Sequence, residues 1–182
     1  MDITVKQTAK SWSLHCGNRS WPCAIGKNGT VHPDQKVEGA GKTPVGSWKV
    51  RSLLFRADRI TQEERSSFID NLVCSPLSQR DGWCDDPQDA YYNRPVIIPY
   101  DAGHELLWRD QENVYDLIII LGYNDDPVVK GKGSAIFLHI AKPGLTPTEG
   151  CIALARDHLL ELLPLITDNS SLHVVIDGVQ QD

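Results

Sequence analysis

Long hydrophobic runs are missing from the 182-residue sequence. The strongest apolar run, from Leu117 to Leu121, is five residues long, whereas a membrane-spanning helix needs roughly 20. We therefore expect no membrane insertion. The first residues, Met1 to Lys6, contain neither the basic segment nor the apolar segment of a secretory signal, so we expect no signal peptide in this sequence.

An excess of basic residues is also missing. The chain has 18 lysines and arginines against 24 aspartates and glutamates, which gives a net charge of −6. This balance argues against nucleic acid as a partner, and it means that an acidic ligand must be bound by a few local cations. Cysteines or histidines at metal-binding spacings such as C-x-x-C are absent as well, so no metal site is predicted.

The sequence has no internal repeat and no low-complexity tract, and its composition is that of an ordinary globular protein. Hydrophobic residues make up 41% of the chain and charged residues 23%. A chain of this length is expected to bury roughly 70% of its unfolded surface around a core. We therefore predict a single domain over residues 1–182.

Short apolar and β-branched segments between turns dominate the pattern. They predict strands over residues 3–5, 11–16, 21–25, 47–53, 115–121, 135–140 and 172–176. Two helices are expected, one from Thr61 towards Val73 and one from Ala155 to about Leu163. Many strands, few helices and short connections predict a mainly β or α+β fold with mixed sheets, and they argue against a doubly wound βαβ fold.

A histidine and a cysteine come from neighbouring elements. His139 lies on the strand predicted over residues 135–140, and Cys151 follows at a turn that leads to a helix. A free thiol is mostly protonated at pH 7 and needs a base, for which His139 is the candidate. Gly150 allows a tight turn, and the amides of Gly150 and Cys151 could donate to an oxyanion. From these residues alone, a structural cysteine and a structural histidine are an equal alternative.

Three motifs together resemble the YkuD-type L,D-transpeptidases. They are Gly41-Lys42-Thr43-Pro44-Val45-Gly46, His139 after an apolar strand, and Thr148-Glu149-Gly150-Cys151-Ile152. The resemblance covers about residues 26–163. It implies that Cys151 is the nucleophile and His139 the base. It also implies that Thr148 and Gly150 take the first and third positions of the family's Ser/Thr-His-Gly-Cys motif.

The sequence departs from that family pattern in the motif itself. Glu149 stands where a second histidine is usual, Ala153 stands where arginine or asparagine is usual, and the interval from His139 to Cys151 is short. Residues 83–87, 92–95 and 122–127 are similar to a divergent proteobacterial subgroup, some of whose members join L-Ala at stem position 1 to diaminopimelate at position 3. The usual family reaction joins two diaminopimelates instead.

The resemblance implies a peptidoglycan substrate and no cofactor. Cys151 would attack an L,D bond of one stem peptide and transfer the acyl group to the side-chain amine of a second stem. Arg94 is the first candidate to bind a substrate carboxylate, with a surface ion pair as the equal alternative. The other substrate-binding candidates are Tyr92, Asn93, Trp83, Thr148 and Glu149. Such a substrate implies a periplasmic location, and a monomer is favoured.

Two other functions stay open at this stage. With water as the acceptor, the same thiol chemistry gives an L,D-carboxypeptidase or endopeptidase. Without a reactive thiol, the chain would be a non-catalytic wall-binding module with a structural Cys151.

The sequence has five cysteines, so at least one has no intramolecular partner. The resemblance implies that this one is Cys151. The other four, Cys16, Cys23, Cys74 and Cys84, are expected to be buried thiols or to form up to two disulfides in one of three connectivities.

Overall fold

The computed structural model describes residues 2–8 and 11–176, and strands dominate this part of the chain. The strands are β1 (Ile3–Thr8), β2 (Ser11–Cys16), β3 (Arg19–Ala24), β4 (Thr30–Val31), β5 (Thr43–Pro44), β6 (Gly46–Phe55), β7 (Cys74–Pro76), β8 (Asp81–Cys84), β9 (Pro95–Ile97), β10 (His104–Leu106), β11 (Leu117–Leu121), β12 (Phe137–Ile140), β13 (Ile152–Leu154) and β14 (Ser171–Val175). The α-helices are α1 (Gln62–Ser66) and α2 (Arg156–Leu162), and 3-10 turns cover Pro33–Gln35, Pro143–Leu145 and Leu163–Leu165. The predicted mainly β fold with mixed sheets and few helices is confirmed.

The largest sheet closes on itself. Its strands follow the order β11, β12, β13, β3, β2, β1, β14, β6 and β7, and β6 also pairs with β11. Eight strands therefore form a ring, with β7 added beside the C-terminal half of β6. The pairs β1–β14 and β12–β13 are parallel, whereas the hairpins β1–β2 and β2–β3 are antiparallel. This ring holds β12 and β13 side by side, with His139 on β12 and Cys151 directly before β13.

Strand β11 is buried on both faces, which is why its sequence is an unbroken apolar run. Leu117, Ile119 and Leu121 belong to the main core, together with apolar residues from all the other ring strands and from α2. Ile118 and Ile120 belong to a second cluster. Because both faces of this strand pack against apolar residues, neither face is polar. Its sequence therefore lacks the alternation of apolar and polar residues that marks a half-buried strand.

The second cluster lies under a small sheet of three strands, in the order β10, β8 and β9. Trp83 of β8 and Leu107, just after β10, pack in this cluster with Phe137 of β12 and with Cys151. The rings of Trp83 and Phe137 meet edge to face, with centroids 5.1 Å apart. The small sheet therefore places one wall over the outer side of β12.

The helix predicted from Thr61 towards Val73 begins as expected but is much shorter. Its capping box is complete, because Glu64 N donates to Thr61 Oγ1 at 3.2 Å and Thr61 N donates to the Glu64 carboxylate at 2.8 Å. The helix α1 nevertheless ends at Ser66. Serine hydroxyls that bond back to the preceding turn compete with helix continuation, and Ser67 Oγ donates to Glu64 O at 2.7 Å.

Within residues 2–8 and 11–176, no α-helix has the length and hydrophobicity of a membrane span.

Candidate active site

His139 and Cys151 lie on the same side of the ring. In the parallel pair of β12 and β13, His139 is the register partner of Ala153. Side chains alternate along a strand, so Leu138 and Ile152 enter the main core while His139 points to the other side. Cys151 is two residues before Ala153 and shares that side. Both side chains line a cavity of about 950 Å³.

The Cys151 thiol is buried and held by the backbone of the segment before β12. Its Sγ donates to Ala135 O at 3.1 Å and accepts from Phe137 N at 3.4 Å. Burial raises the pKa of this thiol to about 12, and the carboxylate of Glu105 adds to the shift. The amide of Phe137 opposes the shift, because an N–H that points at sulfur favours the thiolate. The resting site therefore holds a neutral thiol.

His139 is oriented by its own strand. Its Nδ1 lies 2.9 Å from Ile140 O, and a carbonyl oxygen can only accept a hydrogen bond, so Nδ1 carries the proton. In the neutral ring Nε2 is then the free proton acceptor. Burial lowers the pKa of His139 to about 4. The ring also meets Tyr115 edge to face, with centroids 5.2 Å apart. Among the hydrogen bonds of the described residues, none joins His139 to Cys151.

The loop before Cys151 is fixed by the segment over residues 41–46. Thr43 Oγ1 donates to Gly150 O at 2.8 Å and accepts from Gly26 N at 2.9 Å. Gly150 has a φ of +142°, and a Cβ there would lie 3.1 Å from Lys42 O. A side chain at this position would therefore be strained and would press on the neighbouring backbone. The glycine of the motif is explained by this close approach.

Thr148 and Glu149 line the cavity just before Gly150. Thr148 Oγ1 accepts from Gly150 N at 3.1 Å and donates to Cys151 O at 2.6 Å. The Gly150 amide is thus directed at Thr148 in this structure, and not into the cavity. Glu149 is exposed and pairs with Lys27 at 2.7 Å.

Comparison with known proteins gives the family. The family model for the YkuD L,D-transpeptidase catalytic domain matches residues 3–176. The chain belongs to this family. No curated protein matches the sequence.

The solved structures that are similar to this chain have low sequence identity to it. L,D-transpeptidase 1 of Mycobacterium tuberculosis is 12% identical, with 96% of this chain and 60% of that chain covered and a TM-score of 0.39. The L,D-transpeptidase of Mycobacterium smegmatis is 12% identical, with 96% and 58% covered and a TM-score of 0.40. Bdellovibrio bacteriovorus Bd1075 is 16% identical, with 95% and 46% covered and a TM-score of 0.46. The chain thus spans about half the length of these proteins.

In this member of the L,D-transpeptidase family, four of the predicted substrate-binding residues do not line the cavity. They are Trp83, Tyr92, Asn93 and Arg94. Arg94 is exposed and donates to Asp125 O at 2.6 Å. Tyr92 is fully buried, where its hydroxyl donates to the Glu38 carboxylate and accepts from Gly133 N at 2.9 Å.

Asn93 links the small sheet to the backbone that holds the cysteine. Its Oδ1 accepts from Trp83 Nε1 at 3.0 Å and from Ala135 N at 3.1 Å. Its Nδ2 donates to Tyr123 O at 3.0 Å and to Asn124 O at 2.8 Å. Ala135 O is the acceptor of the Cys151 thiol, so Asn93 acts on the site through one intervening residue. Its backbone is left-handed, with φ of 57°, which asparagine tolerates better than most residues.

The charged cavity wall formed by residues around β10 was not predicted from the sequence. Arg109 lies over the ring of Tyr115 at 4.2 Å and donates to Glu105 at 2.6 Å and Glu112 at 2.9 Å. The Tyr115 hydroxyl also donates to Glu105, at 2.7 Å. The density of charged residues between His104 and Glu112 was the only available signal, and it has no motif spacing.

Three other cysteines are free thiols in the structure. Cys23 and Cys84 are buried, and Cys74 is half-buried. For these three cysteines the structure therefore favours free thiols over disulfides. Burial raises the pKa of Cys23 to about 12, and Cys23 does not line the cavity that holds Cys151.

Proposed function

We propose that this chain is a cysteine-dependent peptidoglycan L,D-transpeptidase with Cys151 as its nucleophile and His139 as its base. The observation that carries this proposal is the common cavity of the two side chains, with the His139 Nδ1 proton bound by Ile140 O and Nε2 left to accept the thiol proton. A peptidoglycan substrate places the reaction outside the cytoplasm.

The acylation step moves one proton and exchanges one bond. His139 Nε2 takes the Cys151 proton while sulfur attacks the carbonyl carbon of an L-residue in the donor stem. The tetrahedral intermediate collapses as the C–N bond breaks, and the imidazolium returns its proton to the amine of the leaving D-residue. A thioester on Cys151 remains.

The transfer step reverses the same proton path. The side-chain amine of an acceptor stem attacks the thioester, and His139 accepts a proton from that amine. The C–S bond breaks, the thiolate leaves, and the proton returns to sulfur. The amide between two stems is the crosslink. We propose that it joins L-Ala at position 1 to diaminopimelate at position 3, with a bond between two diaminopimelates as the alternative outcome.

Product analysis on a defined muropeptide tests the proposal. The purified protein is incubated with a disaccharide-tetrapeptide, and products are identified by tandem mass spectrometry. We expect a crosslinked dimer with wild type and none with Cys151→Ala, and fragmentation identifies the bond. Shortened monomer without dimer would show hydrolysis instead. No product, together with no covalent carbapenem adduct on Cys151, would contradict an enzymatic function and favour a wall-binding module.

A further inference from the structure

The wall of the cavity that holds Cys151 has more acidic than basic residues, although stem peptides carry carboxylates. Six carboxylate side chains line it, against three lysine or arginine side chains. The carboxylates are Glu38, Asp85, Glu105, Asp110, Glu112 and Glu149, and the cations are Lys36, Arg109 and Lys142. A lysine or arginine of the cavity wall that binds an anionic group of the substrate must therefore be one of these three.

Two of the three cations are already paired within the protein. Arg109 binds Glu105 and Glu112 at 2.6 and 2.9 Å. Lys142 binds Glu112 at 3.2 Å and is 54% exposed. Carboxylates that pair with a cation offset its attraction for a further anion, and solvent screens the charge of an exposed cation. Neither is well suited to bind a further carboxylate.

Lys36 is different, because its ammonium is buried and lacks a carboxylate partner among the described residues. The residue is only 2% exposed, and its Nζ donates to one backbone oxygen, Val37 O, at 3.0 Å. An ammonium has three N–H donors, so two are left. The nearby carboxylate of Glu38 is bound instead by the Tyr92 hydroxyl and by Gly39 N. Burial of a charge without a partner is costly and lowers the pKa of Lys36, so a carboxylate bound beside it would stabilise the charged ammonium.

The position of Lys36 relative to the nucleophile is set by the segment before β12. A Cβ built on Gly133 would lie 3.0 Å from Lys36 Nζ, and Ala135, two residues later, accepts the Cys151 thiol proton at 3.1 Å. Ser134, between them, is buried and lines the same cavity. The ammonium therefore lies against Gly133 and the sulfur against Ala135 of the same short segment.

We propose that Lys36 is the cation of a carboxylate subsite beside Cys151, which binds the free carboxylate of the D-residue that leaves the donor stem. This inference rests on the proposed function. In a tetrapeptide donor that carboxylate is attached to the carbon next to the scissile nitrogen, so it must lie close to Cys151 during attack. Lys36 takes the role that the sequence had suggested for Arg94, which does not line the cavity.

The first test compares two alkylating reagents that differ only in charge. Iodoacetate carries a carboxylate and iodoacetamide is neutral, so the ratio of their rates at one pH cancels differences in thiol reactivity. Rates are read from the mass of the peptide that contains Cys151, which separates it from the other four cysteines. For Lys36→Met we expect the ratio of iodoacetate to iodoacetamide to fall by about fivefold or more, because a unit charge in a partly buried site acts strongly at short range.

Matched variants separate charge from folding and from net charge. Lys36→Arg should keep the wild-type ratio. Lys130→Met should also keep it, because Lys130 is exposed, contacts Gln88 O and does not line the cavity. An unchanged ratio in Lys36→Met, or an equal slowing of both reagents, would contradict the subsite. Lys36→Gln is the second variant if Lys36→Met does not unfold cooperatively.

A measurement on the unmodified protein completes the test. N-acetyl-D-alanine should protect Cys151 from iodoacetamide, whereas N-acetyl-D-alaninamide, which lacks the carboxylate, should protect it less. Equal protection by the two compounds, or none, would overturn the proposal. Neither alkylation nor protection of Cys151 requires the crosslinking reaction. The subsite can therefore be contradicted by these tests while crosslinking is intact, and that result differs from a failure of the proposed function.

Discussion

The two candidate catalytic side chains are uncharged before substrate arrives. Burial lowers the pKa of His139 to about 4 and raises the pKa of Cys151 to about 12. At neutral pH the pair is therefore thiol and imidazole, and not thiolate and imidazolium. A neutral imidazole with Nε2 free can accept the thiol proton during attack. The low polarity of the site disfavours the thiolate in the resting state. Once the thiolate forms, the same low polarity strengthens the hydrogen bonds that it accepts, including the one from Phe137 N.

This protonation state predicts that the acylation rate falls at an unusually low pH. Because the imidazole loses its proton near pH 4, where an ordinary histidine does so near 6.5, the rate should stay flat from neutral pH down and fall only towards pH 4. The measurement is the pH dependence of carbapenem adduct formation by intact mass, with folding checked by circular dichroism at each pH. An acid limb centred near 6.5 would contradict it. His139→Ala should lower the rate by about 10² or more across the range and abolish the limb.

At the scale of elements, β11 contributes to the stability of the fold and to the packing around Cys151, because its two faces pack in different clusters. Ile119 packs in the main core and Ile118 in the second cluster, with Phe137 and Cys151. Both isoleucines are fully buried, so their truncation should cost similar stability. Only one of them supports the wall next to the nucleophile.

Ile118→Ala and Ile119→Ala form a matched pair of variants. Each should lower the free energy of unfolding by about 2–5 kcal/mol, measured by urea denaturation. Only Ile118→Ala should also change the alkylation rate of Cys151 by iodoacetamide in the folded protein, because it leaves a cavity in the cluster that packs on the thiol. Equal changes in alkylation for both variants would show that the two clusters are not separate.

Elements that depend on local pattern could be predicted from the sequence, and side-chain directions in loops could not. The apolar and β-branched runs at β11 and β12 identify two core strands, and the short interval in sequence then brings His139 and Cys151 together. The loop with Tyr92 and Asn93 has a composition typical of recognition. Both side chains instead bond to backbone about 40 residues away, at Gly133 and Ala135, and nothing local indicates that pairing.

The whole molecule depends on contacts between the two ends of the described chain. Strand β1 pairs in parallel with β14, for example Ile3 with Leu172, and on its other edge with β2. Because it lies inside the closed ring, loss of β1 would leave open edges on both neighbours. A sheet opened in this way loses backbone hydrogen bonds and main-core contacts together.

Substitutions on the two faces of β1 test this dependence. Ile3 and Val5 are fully buried in the main core, whereas Thr4 and Lys6, on the same strand, are half-buried. Ile3→Ser with Val5→Ser should lower the free energy of unfolding by about 4 kcal/mol or more, a large part of a total that is commonly about 5–15 kcal/mol. Thr4→Ser with Lys6→Ser is the control and should change it by about 1 kcal/mol or less.

Thermal unfolding and the number of thiols that react with a thiol reagent measure the effect of these substitutions. If the buried-face variant kept the thermal midpoint of the control, ring closure through β1 would not determine the stability of the fold. If the ring is one cooperative unit, Cys23 on β3 and Cys151 just before β13 should become reactive in the same transition.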